Sequence, residues 1–114
     1  MDIAYLEFVT PQVDAVCAVL QQVHRVSFGG PVPELGNART ADLASGGKIG
    51  VRAPLRPDEL PVVRPYLLVD DLAARVDAAR AAGAEIAIEA MKIPGHGTIA
   101  IYLLGGVEHG LWQR

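Results

Sequence analysis

The sequence is poor in cysteine, aromatic residues and lysine. Cys17 is the only cysteine among 114 residues, which excludes an internal disulfide and any multi-cysteine metal centre. It falls on an apolar helical stripe, the place of a small buried residue rather than a reactive thiol. Aromatic residues make up only 5% of the chain, and two lysines stand beside eight arginines. With a net charge of −3 and no basic stripe, nucleic acid is not an expected partner. No apolar run reaches the ~20 residues needed to span a bilayer. Neither helix expected below has a basic amphipathic face, so no membrane partner is expected. The start, Met1-Asp2-Ile3-Ala4-Tyr5, lacks the basic opening and apolar core of a signal peptide, so a cytoplasmic protein is expected. Glycine pairs occur at Gly29-Gly30, Gly46-Gly47 and Gly105-Gly106. None opens a helix as a phosphate-binding loop requires.

What is present is apolar material in regular patterns. Hydrophobic residues make up 51% of the chain, enough for one domain with a modest core. Residues 3–10 alternate with a strand period, Tyr5 and Glu7 on one face, Leu6 and Phe8 on the other. Thr10-Pro11 reads as an N-cap and first helical proline. Val13, Val16, Cys17, Leu20 and Val23 then form a stripe that predicts a helix over about 11–23. A short strand is expected at Val26–Phe28, and two more at 38–44 and 48–53 around a Ser45-Gly46-Gly47 hairpin turn. The three prolines of 54–61 suit a linker.

The same order then recurs. Val62 to Val69 reads as a strand, and Asp70 as the cap of a helix with Leu72, Val76 and Ala79 inward. Gly83 ends that helix. Strands follow at 85–91, 98–104 and 107–113. An offset of 59 residues sets Glu7 on Tyr66, Val13 on Leu72 and Cys17 on Val76. The chain thus reads as one α+β domain over 1–114: a βαβββ module at about 1–54, a linker at about 54–61, and a second βαβββ module at about 62–114.

The second half carries, in order, Tyr66-Leu67-Leu68-Val69-Asp70-Asp71-Leu72, Ala82-Gly83-Ala84, Ile93-Pro94-Gly95-His96-Gly97-Thr98-Ile99-Ala100 and Gly110-Leu111-Trp112-Gln113. This ordered set resembles the vicinal oxygen chelate superfamily, the glyoxalase-like proteins, and among them bacterial members of unassigned function. The first half matches in outline through Leu6-Glu7-Phe8-Val9. The resemblance implies an eight-stranded, cup-shaped mixed sheet with helices on the convex face. It also implies two divalent-metal ligands per module, one on each first strand and one on each last strand. Those positions fall on Tyr5, Arg64, Gly110 and a residue of 49–52, none of them a usual ligand. Glu7, His96 and Glu108 have no recognised ligand spacing either. No metal and no cofactor are therefore expected.

Strand parity places side chains relative to the cup. Tyr5 and Glu7, Arg64 and Tyr66, Thr98 and Tyr102, and Glu108 and Trp112 fall at cup parity, with Ile99, Ile101, Leu103 and His109 toward the helices. All three tyrosines and the one tryptophan thus line the cup. Such a surface suits a planar organic ligand, or else the aromatics simply fill the interior. Tyr5, Tyr66, Thr98, Tyr102, Glu108 and Trp112 are the ligand-binding candidates. Glu7 and Arg64 are the catalytic candidates, as general base and oxyanion or carboxylate partner; a structural Glu7–Arg64 ion pair is the alternative. The reading is a glyoxalase-like small-molecule-binding protein without the usual metal site, taking a planar or carboxylated ligand. A lyase or isomerase of the same superfamily and a non-catalytic dimeric interaction domain are the alternatives. Family habit suggests a homodimer.

Overall fold

The computed structural model describes all 114 residues. Eight strands form a mixed sheet accompanied by two helices. The chain divides into two compact units, Tyr5–Val63 and Arg64–Arg114, the latter including Met1–Ala4. No helix is long and apolar enough to cross a membrane.

The Tyr5–Val63 unit holds most of β1 (Ile3–Val9), then α1 (Val13–His24), β2 (Pro31–Val32), a 3-10 turn, β3 (Ala38–Asp42) and β4 (Lys48–Arg52). Its strand order is β2-β3-β4-β1. β4 runs parallel to β1 and antiparallel to β3. Cys17 is fully buried and packs with Ile49 and Val51. Leu6, Phe8, Val13, Val16 and Leu20 close around them, so the odd residues of β4 and even residues of β1 face α1.

Three local expectations change here. Thr10 is not the N-cap of α1: Gln12 holds that position and Thr10 Oγ1 accepts from its N–H at 3.1 Å. Val23 is exposed, outside the buried stripe of its helix. No strand forms at Val26–Phe28. The Gln21 side chain takes the Phe28 N–H at 3.0 Å, so that donor leaves the ladder, and Gly29 makes an isolated bond to Thr40 O of β3. The second strand is instead the short Pro31–Val32.

The Arg64–Arg114 unit holds β5 (Val62–Leu68, from Arg64 on), α2 (Leu72–Ala81), β6 (Glu85–Ile93), β7 (Gly97–Leu104) and β8 (Val107–Gln113). Its order is β5-β8-β7-β6, with β5 and β8 parallel. Asp71, not Asp70, caps α2, its carboxylate accepting from Ala74 N–H at 3.1 Å. Gly83 at φ 97° supplies the left-handed residue after the helix end. Leu72 and Val76 bury against Ala100 and Leu111, with Val69, Ile86 and Tyr102 packed on. Burying one such aliphatic side chain contributes about 1.5–3 kcal/mol.

Candidate functional site

The face of each unit turned from its helix carries the polar chemistry. In the Tyr5–Val63 unit, Tyr5 and Glu7 of β1 share it with Lys48, Gly50 and Arg52 of β4, since Glu7 lies opposite Gly50 in the parallel register. Tyr5 is buried, and its ring lies across Gly50: a Cβ there would stand 1.6 Å from the Tyr5 hydroxyl oxygen. Only glycine admits that contact.

Arg52 is the hub of a buried charge cluster. Its Nε–H donates to Glu7 Oε2 at 2.9 Å. Nη1 and Nη2 donate to the two oxygens of Glu59, each at 2.8 Å, in a bidentate fork. Nη1 also reaches Ala53 O at 3.1 Å. Side-chain exposure is 6% for Arg52, 10% for Glu7 and 8% for Glu59. The hydrogen bonds from Arg52 hold the Glu59 carboxyl down at about 2, against the opposing effect of burial; Leu55 N–H adds a further donor at 2.7 Å. The same Glu59 bonds push the Arg52 guanidinium well above its ordinary value. Arg52 and Glu59 were not among the sequence candidates. The signal was a charged residue at inward parity in β4, two residues beyond Gly50.

In the Arg64–Arg114 unit the corresponding face is a small grid. β5 contributes Arg64, Tyr66 and Leu68, and β8 contributes Glu108, Gly110 and Trp112, with Tyr66 opposite Gly110 and Leu68 opposite Trp112. β7 adds Ile99 opposite Trp112 and Ile101 opposite Gly110. Tyr66 and Trp112 meet edge to face, centroids 5.6 Å apart at 89°. A Cβ at Gly110 would stand 2.4 Å from the Tyr66 ring. Trp112 Nε1–H donates to His96 O at 3.0 Å, which ties the 94–97 turn to this edge. At the other end Arg64 Nη2 donates to Glu108 Oε1 at 2.9 Å. The Arg64 side chain is 8% exposed and that of Glu108 44%.

Thr98 and Tyr102 do not stand on this face. Ala100 belongs to the core under α2 and Tyr102 packs against that core, so the parity of β7 is opposite to the expected one. Ile99 and Ile101 take the polar face instead. The small Ala100 lets Leu72 and Val76 approach, and the larger isoleucines fill the side away from the helix. Thr98 lines a cleft of ≈ 500 Å³ beside α2, with Asp71, Leu72, Val76 and Glu89. Tyr102 stacks on His109, 4.9 Å between centroids and 3° between planes. Two tyrosines, not three, therefore share a face with the charged candidates of their own unit.

No three His, Cys, Asp or Glu side chains cluster so as to hold a metal ion.

No family model matches the sequence, and neither does any curated protein. Solved structures do. The chain is similar to a hypothetical protein from Bacillus halodurans C-125, at TM-score 0.81 and 11% identity over 99% of this chain and 94% of that one. It is similar to methylmalonyl-CoA epimerase from Mycobacterium tuberculosis, at TM-score 0.76 and 18% identity over 97% and 86%. A Streptomyces coelicolor methylmalonyl-CoA epimerase in complex with 2-nitronate-propionyl-CoA matches at TM-score 0.73 and 16% identity over 99% and 94%. At such identities the likeness shows the fold, an α+β vicinal-oxygen-chelate fold.

Proposed function

We propose that this chain binds a planar, carboxylated small molecule, without the metal that the family resemblance implies, on the polar face of the Arg64–Arg114 unit. The observation that carries this is a buried arginine one register step from an edge-to-face Tyr66–Trp112 pair. Arg64 supplies a guanidinium for a carboxylate, and the two rings supply flat apolar surface for the body. Entry is from the Glu108 end, the half-exposed end of the row.

Support for metal-free binding comes from the residues at the implied ligand positions. Tyr5 and Arg64 are no usual ligands, and Arg64 brings positive charge. Gly110 and Gly50 carry no donor, and the Tyr66 and Tyr5 rings occupy the space a donor side chain would need. These residues do not fit a divalent metal held in the family manner.

The test is calorimetric titration with benzoate and 2-naphthoate against their neutral amides, alongside emission from Trp112, the only tryptophan. A charge-assisted bond to Arg64 is worth about 1.5–3 kcal/mol, so the acids should bind at least about tenfold tighter than the amides. Arg64→Gln should remove that preference. Equal affinity for acid and amide, or no binding of either, overturns the reading.

A second reading, isomerase-type chemistry, is favoured by the epimerases among the fold neighbours. Its expected base, Glu7, is held by buried Arg52 at 2.9 Å, and a base role requires that pairing to open. Deuterium exchange at the α-carbon of a branched acyl thioester, lost in Glu7→Gln, would establish it.

A further inference from the structure

The chain has two buried arginines on the polar faces of its units, and the carboxylates that each meets within its own unit differ in exposure. Arg52 is gripped by Glu7 and Glu59, whose side chains are 10% and 8% exposed. Moving either away would strand a charge without water, which is strongly unfavourable. Arg64 meets Glu108 within its own unit, and that side chain is 44% exposed. A rotation of Glu108 off Arg64 hands its carboxylate to water with little desolvation to overcome. The surroundings permit it: Glu108 is the second residue of β8, close to the exposed Gly105-Gly106 turn, and Leu104 and Val107 are also exposed.

From this contrast we propose that Glu108 is an exchangeable internal counter-ion. It occupies the place on Arg64 that the carboxylate of an incoming ligand takes, and it thereby sets the charge selectivity of the site. The proposal rests on the carboxylate-binding reading above. The ligand class it names is a monoanionic aromatic acid. One carboxylate replaces another on the guanidinium, so the ion pair is conserved while the aromatic body gains the Tyr66–Trp112 surface. A ligand with a neutral head has no means of displacing Glu108.

Two consequences separate this role from a merely structural ion pair. Removing the charge of Glu108 should strengthen binding of an anionic ligand, because the competitor and a like charge disappear together. The same change should help a neutral ligand less, since it loses the competitor but has no like charge to be relieved of.

The experiment is calorimetric titration of benzoate and benzamide into the wild-type chain, Glu108→Gln, Glu108→Ala and Glu34→Gln. The last makes the same change in net charge at an exposed residue of the other unit. Circular dichroism first confirms that each variant is folded. Both Glu108 variants should bind benzoate about tenfold tighter than wild type, since like-charge juxtaposition costs several kcal/mol and each factor of ten is worth about 1.4. Glu34→Gln should change benzoate affinity less than about twofold, as expected for an exposed charge that salt screens. Benzamide should gain less than benzoate does in the Glu108 variants, and should be unchanged in Glu34→Gln. Wild-type binding of benzoate with no gain, or a loss, in the Glu108 variants overturns the counter-ion role and leaves the ligand reading standing. Failure of all four chains to bind benzoate overturns both.

Discussion

Glu59→Gln probes the buried charge cluster through its pH dependence. In the folded chain the Glu59 carboxyl is held at about 2, from an ordinary 4.5, by the Arg52 fork and the Leu55 N–H. A depressed folded-state value means the stabilisation is fully present above about pH 4.5 and is lost as pH falls toward about 2. Each tenfold difference in proton affinity between the folded and unfolded chain is worth about 1.36 kcal/mol, and discounting for water at the loop leaves about 2–3 kcal/mol. The Gln variant keeps shape and one acceptor but does not titrate. It should therefore be about 2–3 kcal/mol less stable than wild type near neutral pH, with the gap closing toward about pH 2. Urea unfolding followed by far-ultraviolet circular dichroism at several pH values measures that gap. Arg52 stays protonated throughout, because Glu59 and Glu7 raise its pKa, and the carboxyls outside this cluster cancel in the difference. A gap that stays constant from neutral to acid pH would refute the linkage argument.

Other substitutions test the packing. Gly50→Ala places a Cβ 1.6 Å from the Tyr5 hydroxyl oxygen, so it should cost about 1–3 kcal/mol or more; adding Tyr5→Ala should recover part of that loss in the same unfolding assay. Asp71→Ala should destabilise by about 1 kcal/mol through loss of the α2 cap, with Asp70→Ala within about 0.5. Equal effects of the two would return the cap to Asp70.

The fold was legible because both helices keep a narrow apolar stripe in register with a strand of fixed parity. Cys17 and Val76 sit at the same step of their helices, and both are buried. β1 read correctly since Glu7, its one charged residue, marked its polar face. β7 carried no such mark. Ile99, Ala100 and Ile101 are all buried, so its sequence is apolar on both faces and period alone cannot orient it. Size was the misleading cue, since the helix sits on the small Ala100. The 54–61 segment was opaque for another reason. Its prolines describe the local chain, but Glu59 is fixed by Arg52, seven residues back, and a side-chain pairing of that kind leaves no period in the sequence.

The two units share one scaffold and differ in what stands on its polar face. On β4 the polar face reads Lys48, Gly50, Arg52; on β8 it reads Glu108, Gly110, Trp112. The central glycine sits opposite Glu7 in one register and Tyr66 in the other, and in both units a tyrosine lies against it. The flanking residues have diverged: β4 has a lysine where β8 has a glutamate, and an arginine where β8 has a tryptophan. In the first unit the arginine draws Glu59 and Glu7 into a sealed cluster, so that face is spent on holding the chain together. In the second the cation on β5 meets a carboxylate still half in water, with aromatic surface beside it. The proposed exchange with an outside anion takes place there. Substitutions that weaken ligand binding without unfolding should therefore gather at Arg64, Tyr66, Glu108 and Trp112, whereas those at Glu7, Arg52 and Glu59 should act first on stability.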